Sequence, residues 1–574
     1  MLRVVVGLAL LVVLVLAYQG TRTALALRAA AADARVLRAE LGEGDLVAAR
    51  RTAASLTEHA AVARRSSDGW LWAATTWLPG AGSQTDAVRQ TSLAGDVLAS
   101  EVLPSALDAA EEISGPGLRG EDGAVDVDAL ASLEDPVRTA ARGAGRADDA
   151  LSGVEPAGLL PPLRGRVAEL RAQVATLDRS LRSASYAVRL APAMLGGQGE
   201  RRYLFVVQNN AEVRATGGLP GSVSLMRVRD GALELEQLGP AASFSTEGAP
   251  AVRLGADEER LLGDTLATDF RDSNATPDFP QAATTMTRLV ERKVEPRIDG
   301  VIALDPVTLG ALLEATGPLE VAGQRLDADN AVSKLLFEPY QELGTDEAQD
   351  AFFGAVSDGI LDALLADGAD TRGLVTQLGE GVAQRRVMVW SRDPGEQDLL
   401  VKAGIAGALP TGRGADPEVG IYLNDAVGFK IDYFLRHRSE VTEVDCTDDD
   451  RQVVQVRTRF ASKVPTPVSQ LTRFVAGQGE YVPRGVVALN VAMYAPAGGE
   501  LRALRVDGEP ARVAQGEVSG RQVSVLGVSL DPGEETEVVA DFVTRPGQDG
   551  DPRLEWTPGL EWAPTSQTVR GACG

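Results

Sequence analysis

Histidine and cysteine are almost absent from this chain of 574 residues, with two of each. His59 and His437 stand beside no serine or cysteine motif and no G-x-S-x-G elbow occurs, so triad hydrolysis has no footing. Cys446 and Cys573 lie in no CxxC or Cys/His cluster, which argues against a zinc site. There is no G-x-x-x-x-G-K-[ST] loop and no HExxH, so P-loop nucleotide hydrolysis and zinc proteolysis also drop out. Lysine is scarce, at five residues, and the formal net charge is −25. A body so acidic, without a basic stripe, repels phosphate backbones, so no nucleic-acid partner is expected. Aromatics are 5% of the chain, so its cores must be built from Ala, Val and Leu. What remains is the chemistry of carboxylates, arginines and amides.

What is present begins with an apolar run, Val4–Tyr18 (VVVGLALLVVLVLAY), preceded by Arg3. With Leu2 and Gln19-Gly20 it approaches the roughly 20 residues that span a bilayer. Helix-forming sequence then continues through Leu41. The expectation is a retained transmembrane anchor over residues 1–20; a cleaved signal peptide, with Ala24-Leu25-Ala26 as its site, is the rival. The body would then be extracytoplasmic, on a single-pass protein of the cell membrane. In an exported chain Cys446 and Cys573 either pair, tying the C-terminus back to the start of the last domain, or remain unrelated thiols.

Residues 21–195 read as helices rich in Ala, Leu and Arg. Leu163, Val167, Leu170, Val174, Leu177 and Leu181 form a heptad seam, to be met by Ala24–Leu56 or Ala87–Leu107. Breakers at Pro79-Gly80-Ala81-Gly82 and Ser114-Gly115-Pro116-Gly117 divide the region into hairpins. Strands and helices alternate over 196–435, as in an α/β core. Examples are Arg202–Gln208, Gly300–Leu304, the helix from Asp305-Pro306, and short strands at Ile421–Leu423 and Ile431–Leu435. Over 436–574 alternating β segments separated by turn residues indicate a β-sandwich. The expected fold class is thus multidomain α+β: N-terminal transmembrane helix, helical bundle, α/β core and C-terminal β-sandwich.

Three polar clusters carry the candidate chemistry. Gln208–Gly218 (QNNAEVRATGG) follows a strand and offers Asn209, Asn210, Glu212 and Arg214; Arg214 could grip a phosphate or carboxylate bidentately. Asp269–Pro280 holds Arg271, Asp272 and Asn274 among further acids, an oxygen density that suits Mg²⁺ or Ca²⁺, or an ordinary capped loop. Tyr422–Tyr433 contains Lys430, which would share a strand face with Asp432.

These clusters, in this order, resemble a bacterial membrane-anchored family known as domain of unknown function 4012 (DUF4012). The likeness includes Trp70-Leu71, Pro79-Gly80-Ala81-Gly82, the Q-N-N-A-E-x-R-x-T-G-G and N-x-x-x-D-F-P runs, Asp299–Pro306, Thr316-Gly317-Pro318 and Tyr422–Tyr433. The core also looks like a distant relative of the LytR-CpsA-Psr (LCP) transferases, which move wall polymers from a polyprenyl diphosphate carrier to peptidoglycan. That resemblance would make the α/β core LCP-like, with Arg214, Arg271 and Asp272 near the diphosphate and metal. Departures from the pattern are plain: Asn209 and Asn210 replace a carboxylate, Gly221-Ser222 an Asp-Thr pair, and Glu338–Phe353 keeps Gln349 but no arginine.

The functional expectation is a cell-envelope protein, more a binder than an enzyme, whose core holds an anionic lipid-linked or glycan ligand such as a polyprenyl phosphate. Asn209, Asn210, Glu212, Arg214, Arg271, Asp272, Asn274 and Lys430 would form the site, with Arg214 and Arg271 in one cleft. A divergent Mg²⁺-dependent phosphotransferase and a non-catalytic scaffold assembling through the helices are the alternatives.

Overall fold

The computed structural model describes residues 2–78, 81–114, 124–155, 158–295, 297–365, 370–410, 412 and 414–573, and their side chains from residue 12 onward except at 114, 350, 357, 358, 361, 362, 364, 365 and 371. The expected breakers at Pro79-Gly80 and Gly115-Pro116-Gly117 lie outside the described residues. The chain divides into two compact units, Met1–Gln198 and Gly199–Gly574.

The first unit is helical. Its opening helix, Leu2–Glu43, is 42 residues long. The expected transmembrane anchor is corrected here: among the described residues no helix is long and apolar enough to cross a membrane. The apolar run opens an element that continues through Arg22, Arg28, Asp33, Arg35, Arg38 and Glu40. Its described core side chains turn inward: Leu37 and Leu41 pack with Ala49 and Ala53 of the helix Leu46–Ser67, and with Leu107. The heptad seam lies on the helix Pro161–Met194. Val167 meets Ala87, and Val174 meets Ala94, Val97, Ala147 and Leu151, so the seam is met inside this unit. The partner that sequence did not single out is Glu134–Ser152, whose small residues let helices approach closely.

The second unit holds a mixed sheet and a β-sandwich. The mixed sheet has five strands in the order β3-β2-β1-β4-β7. They are β1 (Arg201–Asn209), β2 (Leu219–Arg229), β3 (Ala232–Pro240), β4 (Gly300–Leu304) and β7 (Met388–Ser391). A small hairpin, β5 (Leu319–Val321) and β6 (Gln324–Leu326), stands apart. β1 runs parallel to β4, and its side chains alternate between two helical layers. Leu204 and Val206 face Phe279, Ala283 and Met286 of the helix Phe279–Val290. Phe205 and Val207 face Leu309, Leu312 and Val356, from the helices Pro306–Thr316 and Asp346–Leu365.

One sandwich sheet joins β13 (Glu509–Pro510), β12 (Glu500–Val506), β16 (Glu535–Val543), β10 (Gln452–Ser462) and β9 (Leu435–Cys446). The other joins β14 (Ala514–Val518), β15 (Arg521–Leu530), β11 (Val487–Tyr494), β8 (Glu418–Asp425), β17 (Arg553–Trp556) and β18 (Ser566–Thr568). Their inner faces share one apolar core, including Ile421, Leu423, Val454, Val456, Phe460, Val491, Ala540 and Phe542. β8, placed by sequence in the α/β core, pairs with β11 here because Ile421 and Leu423 belong to that core. Ile431–Leu435 is not a strand at its start: Lys430–Phe434 forms a 3-10 turn that leads into β9. Cys446, at the end of β9, forms a disulfide with Cys573 across 127 residues.

Candidate functional site

The Gln208–Gly218 segment links β1 to β2 as a folded-back loop. Two glycines make the fold possible. Gly217 has φ +139°, and a Cβ on Gly218 would lie 2.2 Å from the carbonyl carbon of Asn209. The polar side chains of the loop are buried, and most of their bonds are internal. Asn209 donates its amide to the Tyr340 hydroxyl (2.7 Å), and Asn210 donates to Asp305 (3.1 Å). Asn274 comes from the second cluster and donates to Gln208, Thr216 and the Gly218 carbonyl within 3.0 Å. Asn424, from the third cluster, accepts from the Ala215 amide at 3.0 Å and donates to the Ala275 carbonyl at 3.0 Å. The three clusters thus meet in space, and amide-to-backbone bonds join them.

A charged cluster sits beside this lattice. Arg214, nearly inaccessible, donates to Asp272 from Nε (3.1 Å) and Nη2 (2.9 Å) and reaches Glu212 at 3.3 Å. Lys430 pairs with Glu212. It does not pair with Asp432, as a shared strand face would have required, because the 3-10 turn rotates the two apart. Asp432 instead accepts from the Val213 amide at 2.9 Å, while its Oδ1 is buried without a partner. The carboxylates of Glu212, Asp272, Asp425 and Asp432 therefore surround two cations, Arg214 and Lys430. Burial alone would raise Glu212, but the Lys430 ammonium and the Arg214 guanidinium outweigh it and hold it below the usual carboxylate range. Asp425 goes the other way: burial, then repulsion from Glu212, pushes it up to about 7. Burial and the neighbouring Asp425 push Asp432 well above its ordinary value.

A cavity of about 760 Å³ opens next to this cluster. Its walls are apolar, formed by Phe205, Val207, Leu219, Leu309, Leu335, Phe353, Val356 and Ile360. These residues come from the β1 face that turns away from the helix Phe279–Val290, from the start of β2 (Leu219) and from the helices beneath the sheet. Its polar side holds Asn209, Glu212, Arg271, Lys430 and Arg473. Of the expected site residues, Asn209, Glu212, Arg271 and Lys430 thus border one cavity. Arg214 is not among its lining: its guanidinium is engaged by Asp272 and Glu212, while half-exposed Arg271 chelates Asp269 (3.1 and 2.6 Å). Asp272 and Asn274 are likewise turned into the lattice, and Asn210 faces Asp305.

The acids of the Asp269–Pro280 loop do not converge on a cation. Asp269 serves Arg271 and Ser245, Asp272 serves Arg214, and Asp278 accepts from the Leu409 amide. Among the described residues no group of three His, Cys, Asp or Glu side chains is placed to hold a metal. Sequence reasoning missed Tyr340, Phe353 and Arg473. Tyr340 and Phe353 flank Gln349 in the Glu338–Phe353 stretch, and their pairing with β1 is invisible without the fold. Arg473 lies far off in the sandwich, in a stretch without a motif.

Fold and site together define a class: a two-unit α+β protein in which an internally bonded polar loop closes one side of an apolar cavity. Residues 198–340 match the family model described as Protein of unknown function (DUF4012), which supports the family resemblance read from the sequence. The matched segment contains β1 to β6, the first two polar clusters and Tyr340. No curated protein matches the chain at a significant level. Neither comparison confirms the likeness to LytR-CpsA-Psr transferases.

Proposed function

We propose that this protein is an extracytoplasmic component of the cell envelope that binds an amphipathic ligand, lipid-linked and anionic, in the cavity of its second unit. The carrying observation is the cavity itself: about 760 Å³ with a long apolar wall and cationic side chains on one side. That volume lies in the range of small-molecule sites, and its lining matches their usual mix of apolar walls and few polar groups. A polyprenyl phosphate or a lipid-linked glycan has the corresponding chemistry. The Cys446–Cys573 disulfide favours an oxidising compartment, since such bonds rarely persist in a reducing cytosol.

Binding is favoured over phosphoryl transfer by the state of Arg214. A transferase needs a guanidinium free to meet developing phosphate charge. Here the donors of Arg214 meet Asp272, Glu212 and the Val213 carbonyl. A self-assembling scaffold is less favoured, because the heptad seam is met by helices of its own unit. The test is direct titration of the purified chain with short isoprenyl phosphates and with lipid-free sugar phosphates, followed by calorimetry. Saturable binding of the lipid is expected. Absence of lipid binding, or equal affinity for a lipid-free sugar phosphate, would overturn the reading.

A further inference from the structure

Three cations border the cavity, and two of them are already neutralised. Lys430 is paired with Glu212, and Arg271 is chelated by Asp269. Arg473 is different. Its guanidinium has neither a hydrogen-bond partner nor a carboxylate partner among the described residues, and its central carbon lies 4.9 Å from the ring centre of Phe474. Stacking on a ring fixes the plane of a guanidinium and leaves its N–H edge open, the arrangement in which arginine takes a phosphate or carboxylate bidentately.

The backbone beneath Arg473 is held firmly against the α/β core. The Thr472 amide donates to Gln341 Oε1 (2.7 Å), and the Thr472 hydroxyl donates to the Tyr340 carbonyl (2.7 Å). Gln341 in turn donates to the Gln470 carbonyl at 3.3 Å. The same short helix, Glu338–Glu342, supplies Tyr340 to the cavity wall. A residue of the sandwich is thereby fixed at a cavity built by the core.

Charge of the other sign is weaker there. Glu212 is compensated by Lys430 and Arg214. Asp346 remains, exposed in the first turn of the helix Asp346–Leu365, where water and the helix dipole stabilise a carboxylate without a ligand.

From these observations we infer that Arg473 receives the anionic headgroup of the cavity's ligand, so that the sandwich contributes the charge-reading half of a site whose apolar half belongs to the core. This inference rests on the amphiphile-binding reading above and adds to it the headgroup and the residue that reads it. The recognised chemistry is a phosphate monoester or carboxylate at the end of an apolar chain.

The experiment titrates the full chain with farnesyl phosphate and with farnesol, the same chain without the charge. Wild-type protein is expected to bind the phosphate more tightly. Arg473→Gln should weaken the phosphate about tenfold, the scale of a lost charge-assisted contact, and leave farnesol unchanged. Asp346→Asn should leave the phosphate as tight or tighter. The proposal is overturned if Arg473→Gln leaves both affinities unchanged or weakens both alike, or if Asp346→Asn is the variant that loses the phosphate. If neither probe binds the wild type, the cavity reading falls and takes this one with it; if both bind and only the arginine is silent, the cavity reading stands alone. Because Arg473 is exposed and unpaired, its substitution is expected to leave the melting curve in place.

Discussion

Arg386 and Asp305 form an ion pair with almost no exposure to solvent, Nη1 to Oδ2 at 2.5 Å and side chains 0% and 2% accessible. The other oxygen of Asp305 accepts from the Thr308 amide (2.8 Å) and hydroxyl (2.7 Å), capping the helix Pro306–Thr316. Asn210 donates to the same Oδ2 as Arg386. Arg386 also donates to Gln384 Oε1 (3.1 Å) and to the carbonyls of Gly559 and Glu561. One buried pair thus joins the polar loop, the helix below it and the C-terminal segment after β17.

Breaking that pair from one side leaves an uncompensated buried charge. Asp305→Ala or Arg386→Met alone is expected to destabilise the second unit by about 3–5 kcal/mol. The double variant should cost much less than the sum, because neither charge is then stranded. Urea unfolding of the four proteins in a mutant cycle measures this. Additive losses would mean that the two side chains do not depend on each other.

The carboxyls of Asp425 and Asp432 make stability depend on pH. Burial raises both, Asp425 to about 7. Across pH 4 to 7 the folded chain holds protons that the unfolded chain has already released. Both contributions are fully present below about pH 4, the ordinary aspartate value; that of Asp425 is lost as pH rises through about 7, and that of Asp432 is lost as pH rises above the ordinary aspartate range. Asp432→Asn keeps an oxygen for the Val213 amide and removes one of these ionisations. It should raise stability at pH 8 relative to pH 5 by on the order of 1–2 kcal/mol, so that stability falls less steeply as pH rises. Urea midpoints at the two pH values decide, and an unchanged slope would count against Asp432 as the proton holder.

Much of this architecture was legible where the pattern is local. The run Gly300–Leu304 is a strand because five apolar residues between Asp299 and Asp305 can only be buried on both faces, and Asp305-Pro306 starts a helix. The Gln208–Gly218 loop announced itself through paired Asn and paired Gly. Its role was harder to see. A sequence shows that Arg214 is present but not that Asp272, 58 residues on, will engage it. The expected membrane anchor fails on length and charge: the apolar run opens a helix of 42 residues that carries charges from Arg22 onward, and among the described residues no helix is long and apolar enough to cross a membrane. Tyr340 and Arg473 were invisible because the contacts that bring them to the cavity join distant parts of the chain.

The disulfide offers a plain stability test. Cys446 and Cys573 close a loop of 127 residues, and their Cα atoms are 5.2 Å apart. Restricting so long a loop in the unfolded chain is worth about 3–5 kcal/mol. The Cys446→Ser, Cys573→Ser double variant should lose about this much, and addition of dithiothreitol to the wild type should lower its melting temperature to the variant's. A reductant effect that persists in the double variant would rule out this bond as its source.

The cavity can be closed from its rim without disturbing the core. Gly221 lies on β2, is exposed, and borders the cavity; a Cβ added there meets no atom within 4 Å. Its backbone is outside the left-handed region, so a larger residue introduces no strain there, and an aromatic suits a strand better than glycine does. Gly221→Phe should therefore keep or slightly raise the melting temperature while its ring occupies space that a ligand chain would need. Affinity for a short isoprenyl phosphate should fall at least tenfold, about 1.4 kcal/mol. Phe353→Ala works in the opposite direction: it widens the apolar wall and should preserve binding while lowering stability by about 1–3 kcal/mol, since Phe353 is only partly buried. Both effects are read by calorimetry and thermal melts on the same preparations. If Gly221→Phe binds as tightly as wild type, the ligand does not lie in this cavity.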